Sequence, residues 1–186
     1  MRLLLLAFLC TTALNAQKFT ITPDGLKDFY NQENNYLVLE IEDKSAETLY
    51  QSAKRYILET YKNPKEVLKA DVENDFIRFT TYAPNVAEVN NVGAKFPVNG
   101  TYSTELRFKD NRVKFDILDL TLNVENGYSA TLEYQGSTWS GFVFFNKKGK
   151  VSQGEAKSQL EQHFSNRIEQ LKSFLEGKVE EQNNDW

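Results

Sequence analysis

One histidine, His163, and one cysteine, Cys10, occur among the 186 residues. A zinc site made of several imidazoles is therefore excluded. Thiol catalysis needs a cysteine in the folded chain, and Cys10 closes an apolar run, Leu3 to Cys10, that reads as a segment removed on export. His163 falls at the edge of the apolar stripe of a C-terminal helix, where a helix-boundary residue is the plainer reading than a general base. Carboxylates remain. Asp116 and Asp119 sit in one strand, and Glu40 and Glu42 share one face of another. A carboxylate pair can hydrolyse glycosides when burial keeps one acid protonated and the other stays ionised. Glu40 and Glu42 alternate with apolar residues, however, as a solvated sheet face does. No catalytic residue is assigned on this pattern. Asp116 and Asp119 carry the alternative, a carboxylate-based hydrolase acting on glycans or peptides.

Metal and cofactor signals are weak throughout. Asp71-Val72-Glu73-Asn74-Asp75 offers oxygen ligands at alternate positions but lacks the glycine and distal glutamate of a calcium loop. It reads as a charged hairpin turn. There is no glycine-rich phosphate loop and no nucleophile-elbow motif. Asn99-Gly100-Thr101 matches a glycosylation acceptor and is read as a turn. Neither a metal nor a cofactor is expected.

The elements that would position these groups follow from periodicity. Residues 1–16 read as a secretory signal peptide: Met1-Arg2, the apolar run, then small and polar residues up to a cleavage point after Ala16. The run is far shorter than the ~20 residues of a membrane-spanning helix, so no transmembrane span is expected in the mature chain. Residues 17–35 form a leader, 36–181 a single α+β domain with an additional hairpin-like segment at 124–150, and 182–186 a tail expected to fray. Leu37, Leu39 and Ile41 alternate with Tyr36, Val38, Glu40 and Glu42 as a strand. Ser45 caps an amphipathic helix carrying Leu49, Tyr50, Ala53, Tyr56 and Ile57, which Asn63-Pro64 ends. Strands 67–71 and 76–82 follow, then 102–109 and 112–122 around Asp110-Asn111. Between them, residues 83–100 hold two prolines and two glycines and read as a long loop. A switch of parity near Ile117-Leu118 predicts a bulge. Residues 128–134 and 139–145 read as two further strands, and 155–179 as a long helix with Leu160, Phe164, Ile168 and Leu171 in its stripe.

This succession, β-α-β4-α, carries a resemblance. Tyr36 to Tyr61, with Ser45-Ala46-Glu47-Thr48-Leu49-Tyr50 and Ala53-Lys54-Arg55-Tyr56-Ile57, resembles a secreted bacterial family of unknown function with a TATA-box-binding-protein-like (TBP-like) fold. Tyr102-Ser103-Thr104-Glu105-Leu106-Arg107-Phe108-Lys109-Asp110-Asn111-Arg112 and Phe115-Asp116-Ile117-Leu118-Asp119-Leu120-Thr121 resemble it too. The resemblance implies an antiparallel sheet with two helices packed on one face, and an exported location. It supplies no catalytic residues.

The face away from the helices is then the surface of interest. Glu40, Glu42, Arg78, Glu105 and Arg107 are the partner-binding candidates on it. Their mixed sign, in a chain of net charge −4, disfavours nucleic acid. A protein, peptide or envelope component is the expected partner, and a non-enzymatic binding or scaffolding module of the bacterial envelope the expected role.

Overall fold

The computed structural model describes residues 17–133 and 141–178. The expected signal peptide 1–16, Tyr134, Trp139, Val179 and the expected tail 182–186 lie outside the described residues.

Alternation builds the main sheet. Strands β4 (Leu68–Val72), β5 (Phe76–Asn91), β6 (Ala94–Lys109) and β7 (Arg112–Val124) pair consecutively and antiparallel, and β3 (Tyr36–Glu40) pairs with the N-terminal half of β7. Helices α1 (Ala46–Thr60) and α3 (Gly154–Glu176) cover one side, with a single turn, α2 (Pro64–Val67), between α1 and β4. Edge-to-face ring contacts fix that side: Tyr50 of α1 on Phe108 at 5.8 Å, and Phe164 of α3 on Tyr102 at 5.1 Å. Leu37, Leu39, Ile77, Leu106 and Val113 turn the same way and are almost fully buried. This is the β-α-β4-α order that the periodicity predicts.

The α1 start is held from two directions. Ser45 Oγ accepts the Thr48 N–H at 3.1 Å, an N-cap, and Asp110 of the β6–β7 turn accepts the Ala46 N–H at 2.9 Å. Asn111 in the same turn accepts from Lys44 N–H through its side chain at 3.2 Å and donates its own N–H to Lys44 O at 2.8 Å. A carboxylate at a helix N-terminus is also favoured by the helix dipole. The turn joining β6 to β7 is thereby tied to the β3–α1 junction.

Several elements differ from the sequence-based expectation. The leader is a packed hairpin, β1 (Phe19–Thr22) with β2 (Gly25–Asp28), and its Phe19 and Ile21 enter the core beside Phe164 and Phe115. The 83–100 segment is a β-ribbon and not a loop, because β5 and β6 run on to Asn91 and from Ala94. Its alternation is hidden by a bulge: Ala83 pairs with Gly100 and Ala87 with Val98, so three residues of β5 face one of β6. From the end of that bulge onward Val86, Ala87 and Val89 are buried again, as is Val98 on β6. The bulge predicted at Ile117-Leu118 sits two residues on, where Asp119 and Leu120 intervene between the pairs Ser103–Leu118 and Thr101–Thr121. The 124–150 segment is not a hairpin, since β8 (Ser129–Thr131) and β9 (Gly141–Val143) pair in parallel. Helix α3 stops at Glu176, where Gly177 at φ +76 donates its N–H to Phe174 O and closes the end.

The ribbon closes on Val92-Gly93, with φ of +49 and +86. Two positive φ angles make a hairpin turn that asparagine-glycine satisfies and that valine, branched at Cβ, resists. Val92 is 100 % exposed, so its side chain contributes no packing there. Val92→Asn should therefore stabilise the protein by about 1 kcal/mol, read as a higher urea midpoint at unchanged slope.

Candidate functional site

Residues of opposite parity form the face that the helices leave open. The strand register sets them in rows: Arg78, Glu105, Asp116 and Tyr36 across β5, β6, β7 and β3, then Phe76, Arg107, Lys114 and Val38. A third row, Lys109, Arg112 and Glu40, lies nearest the β6–β7 turn.

The first row holds two of the expected partner-binding residues, Arg78 and Glu105, and a third, Arg107 of the second row, reaches Glu105 from along β6. Glu105 is 7 % exposed, and it accepts from Arg78 Nε at 3.0 Å and from Arg107 Nε at 2.7 Å. Burial alone would raise its carboxyl; the hydrogen bonds from Arg78 and then Arg107 outweigh that and hold it below the usual range. Glu105 is thus the fixed centre of a two-arginine clamp, with little surface to offer a ligand. Arg107 also lies over the Phe76 ring, its Cζ 4.7 Å from the centroid. Glu40 is exposed opposite Arg112, and Glu42 is exposed beyond the end of β3, away from the clamp.

Asp116 and Asp119 are not brought together. Asp116 faces Glu105 across the strands and is 7 % exposed, whereas Asp119 is exposed at the bulge with φ +54. Burial raises the Asp116 carboxyl, opposed by Lys114 3.4 Å away and reinforced by the Glu105 charge. Its Oδ1 has no hydrogen-bond partner. Because Glu105 is already bound by two guanidinium groups, the nearest carboxylate to Asp116 is committed elsewhere.

At the turn end of this face the surface sinks into a cleft of about 550 Å³, lined by Tyr36, Val38, Arg107, Lys109, Arg112 and Lys114. Asp75 of the β4–β5 turn contributes its one lining carboxylate. Lys114 Nζ sits 4.2 Å from the Tyr36 ring centroid. Three of these cations, Lys109, Arg112 and Lys114, are absent from the sequence-based candidates. A signal for them exists: the two-residue turn at Asp110-Asn111 fixes the β6–β7 register, which puts all four basic residues on one parity.

His163 lies on the other side of the sheet, half-buried at the edge of the core. Its Nε2 is 2.9 Å from the Tyr102 hydroxyl, and burial, with the Arg167 charge second, pushes the ring down to about 4. Burial pushes Tyr102 up to about 12 against the opposing Arg167 charge. Among the described residues, no group of three or more histidine, cysteine, aspartate or glutamate side chains is placed to hold a metal ion. No helix among them is long and apolar enough to cross a membrane.

No family model matches the chain, and no curated protein does. Solved structures are similar to it. One is a DUF4468 family protein from Bacteroides ovatus ATCC 8483, at 14% identity and a TM-score of 0.49, over 76% of this chain and 84% of that one. Another is a TBP-like protein from Parabacteroides distasonis ATCC 8503, at 14% identity and a TM-score of 0.48, over 75% of this chain and 90% of that one. The chain's own strands and helices make it an α+β fold, with a largely antiparallel sheet and two helices on one face, and beyond the β-α-β4-α order it carries the β1–β2 hairpin, the β5–β6 ribbon and the β8–β9 pair. A likeness at this identity carries no ligand with it, so the chemistry of the site is read from the side chains alone.

Proposed function

We propose that the chain is an exported, non-enzymatic binding or scaffolding module of the bacterial envelope, taking a protein or peptide partner on the helix-free face of its sheet. One observation carries this reading: the open face ends in a cleft of about 550 Å³ whose walls stand on paired strands. Its size falls in the range of ligand clefts, and its turn is pinned to the α1 start by Asp110 and Asn111, so it is formed before any partner arrives. Export rests on the signal-peptide pattern of residues 1–16.

A binding role fits the titratable groups better than a catalytic one. Glu105 is clamped, Asp116 lies beneath Lys114, Asp119 stands apart at the bulge, and His163 faces Tyr102 at the edge of the core. Nucleic acid fits the face poorly. TBP-like DNA binders wedge apolar side chains into the minor groove, whereas here two rings of the face, Phe76 and Tyr36, are covered by Arg107 and Lys114.

A photo-crosslinking side chain at Val38, in the cleft, and another at Glu169, exposed on α3, test the face in living cells. The expected result is a discrete adduct from Val38 and none from Glu169, with the purified adduct partner binding the protein saturably. Equal adducts from both positions would remove the face from consideration.

A further inference from the structure

The cations of the cleft are arranged in a way that a stable sheet alone does not favour. Arg107 stands directly opposite Lys114 in the register, and Lys109 directly opposite Arg112. Like charges in directly opposed positions destabilise an antiparallel pair, and here two such pairs occur on the same face of the same hairpin. They occur in a chain whose overall charge is −4. Arg107 is partly compensated by Glu105 and Lys114 by Asp116. Lys109 and Arg112 form no ion pair with any described residue, and both are exposed. An acidic protein that concentrates cations in this cleft, two of them in no ion pair among the described residues, presents a site for an anion.

The spacing narrows the class of anion. Positions two apart on a strand are about 6.8 Å apart along it, so the two cationic pairs repeat at the distance of alternate side chains on an extended peptide. The cleft is concave, which a planar lipid surface cannot enter. Phe76 and Tyr36, beneath the cations, are already capped by them, so bases and sugar rings lack a free stacking surface at the cleft. Edge addition beside β3 is blocked at its middle, where the Gln17 side-chain amide donates to the Val38 carbonyl. A ligand therefore lies across the face, over the cation pairs.

Resting on the binding role proposed above, we infer that the cleft recognises an acidic segment of a partner protein, extended, with aspartate or glutamate at alternate positions. One carboxylate would be held between Arg107 and Lys114 and the next between Lys109 and Arg112. Arginine can take a carboxylate bidentately, and the lysine opposite completes each pair.

Fluorescence anisotropy with a labelled eight-residue peptide of alternating serine and glutamate tests this, against the same peptide with glutamine. The protein should bind the glutamate peptide saturably and the glutamine peptide not at all. Lys109→Gln/Arg112→Gln should weaken binding by about tenfold, while Lys147→Gln/Lys148→Gln, an equal charge change at exposed positions outside the cleft, should leave it within about twofold. The free cleft variant should melt close to the parent, since it removes one opposed like-charge pair, Lys109–Arg112, together with one opposed unlike pair, Glu40–Arg112. Equal weakening by both double variants would reduce the effect to net charge and overturn the inference. So would tighter binding of a single-stranded oligonucleotide of equal charge, or co-sedimentation with phosphatidylserine vesicles. Loss of the acidic-peptide result with the Val38 adduct retained would discard the ligand class and leave the binding face standing.

Discussion

Phe164→Ala should destabilise the protein by about 4 kcal/mol, the cost of opening a large cavity that neighbouring side chains cannot collapse to fill. Phe164 is fully buried, and its ring meets Phe19 of the leader hairpin at 6.5 Å and Tyr102 of the sheet at 5.1 Å. Three elements therefore lose contacts through one substitution. Urea unfolding should show the midpoint falling with little change in slope, and Phe164→Leu should recover most of the loss. Phe76→Ala is the informative control. Phe76 lies on the open face, half-buried under Arg107, so its truncation should cost well under half as much. Similar costs at the two positions would mean that both faces of the sheet are cores, and the argument for an accessible binding face would fail with that result.

Much of this asymmetry is legible in the sequence, because alternation reports burial on one face directly. Leu37 and Leu39 against Tyr36, Val38 and Glu40 is such a pattern, and so is the stripe of Leu160, Phe164, Ile168 and Leu171 on α3. The pattern fails where the backbone leaves the regular pleat. Three residues bulged against one at Pro84 to Val86 shift the parity of β5, so the buried Val86, Ala87 and Val89 read as an unstructured stretch. Proline and glycine in the same stretch point towards a loop, whereas Gly100 here serves close packing: a Cβ there would stand 3.4 Å from the Val86 methyls.

The candidate site is legible only in part, for a different reason. Arg78, Glu105 and Arg107 are identifiable as open-face residues from parity, but parity does not say that Glu105 would be shared by both arginines and withdrawn from solvent. That depends on β5 and β6 meeting in the register that sets Arg78 opposite Glu105. The opposed cations, by contrast, need only the two-residue turn at Asp110-Asn111 to be taken literally. A turn of that length puts Lys109 across from Arg112 and Arg107 across from Lys114. The cleft itself is not legible in the sequence, since Tyr36 and Val38 reach it from a strand far away along the chain.

The core side of the sheet supplies the other large effect, a loss of stability in mild acid that traces to His163. Its ring titrates at about 4 in the folded protein, against 6.5 when unperturbed. A depressed folded value means that the unfolded chain takes up the proton first. The stabilisation is complete above 6.5 and is lost as the pH falls towards 4. From about pH 7.5 to about pH 5 the loss amounts to about 2 kcal/mol. The groups around the ring explain the depression. Burial comes first and the Arg167 charge of α3 second, while Tyr102 of β6, hydrogen-bonded to Nε2, keeps its proton, and Tyr56 and Tyr61 of the α1 side offer no carboxylate to receive an imidazolium. Glu105 and Glu161, both held below the usual range, lose their contribution only at lower pH, so they are silent in this window. Asp116 acts in the opposite sense, because a raised carboxyl gains stability as it protonates in the fold. Comparison with His163→Gln cancels that term, since Asp116 is common to both proteins. The stability difference between parent and variant should shift by about 2 kcal/mol across the window, in the direction that penalises the parent in acid. The chain has a single histidine, so one imidazole resonance should titrate near 4 in the folded protein. A midpoint near 6.5, with parallel stability curves for parent and variant, would place His163 in solvent and detach α3 from the sheet where Tyr102 now meets it.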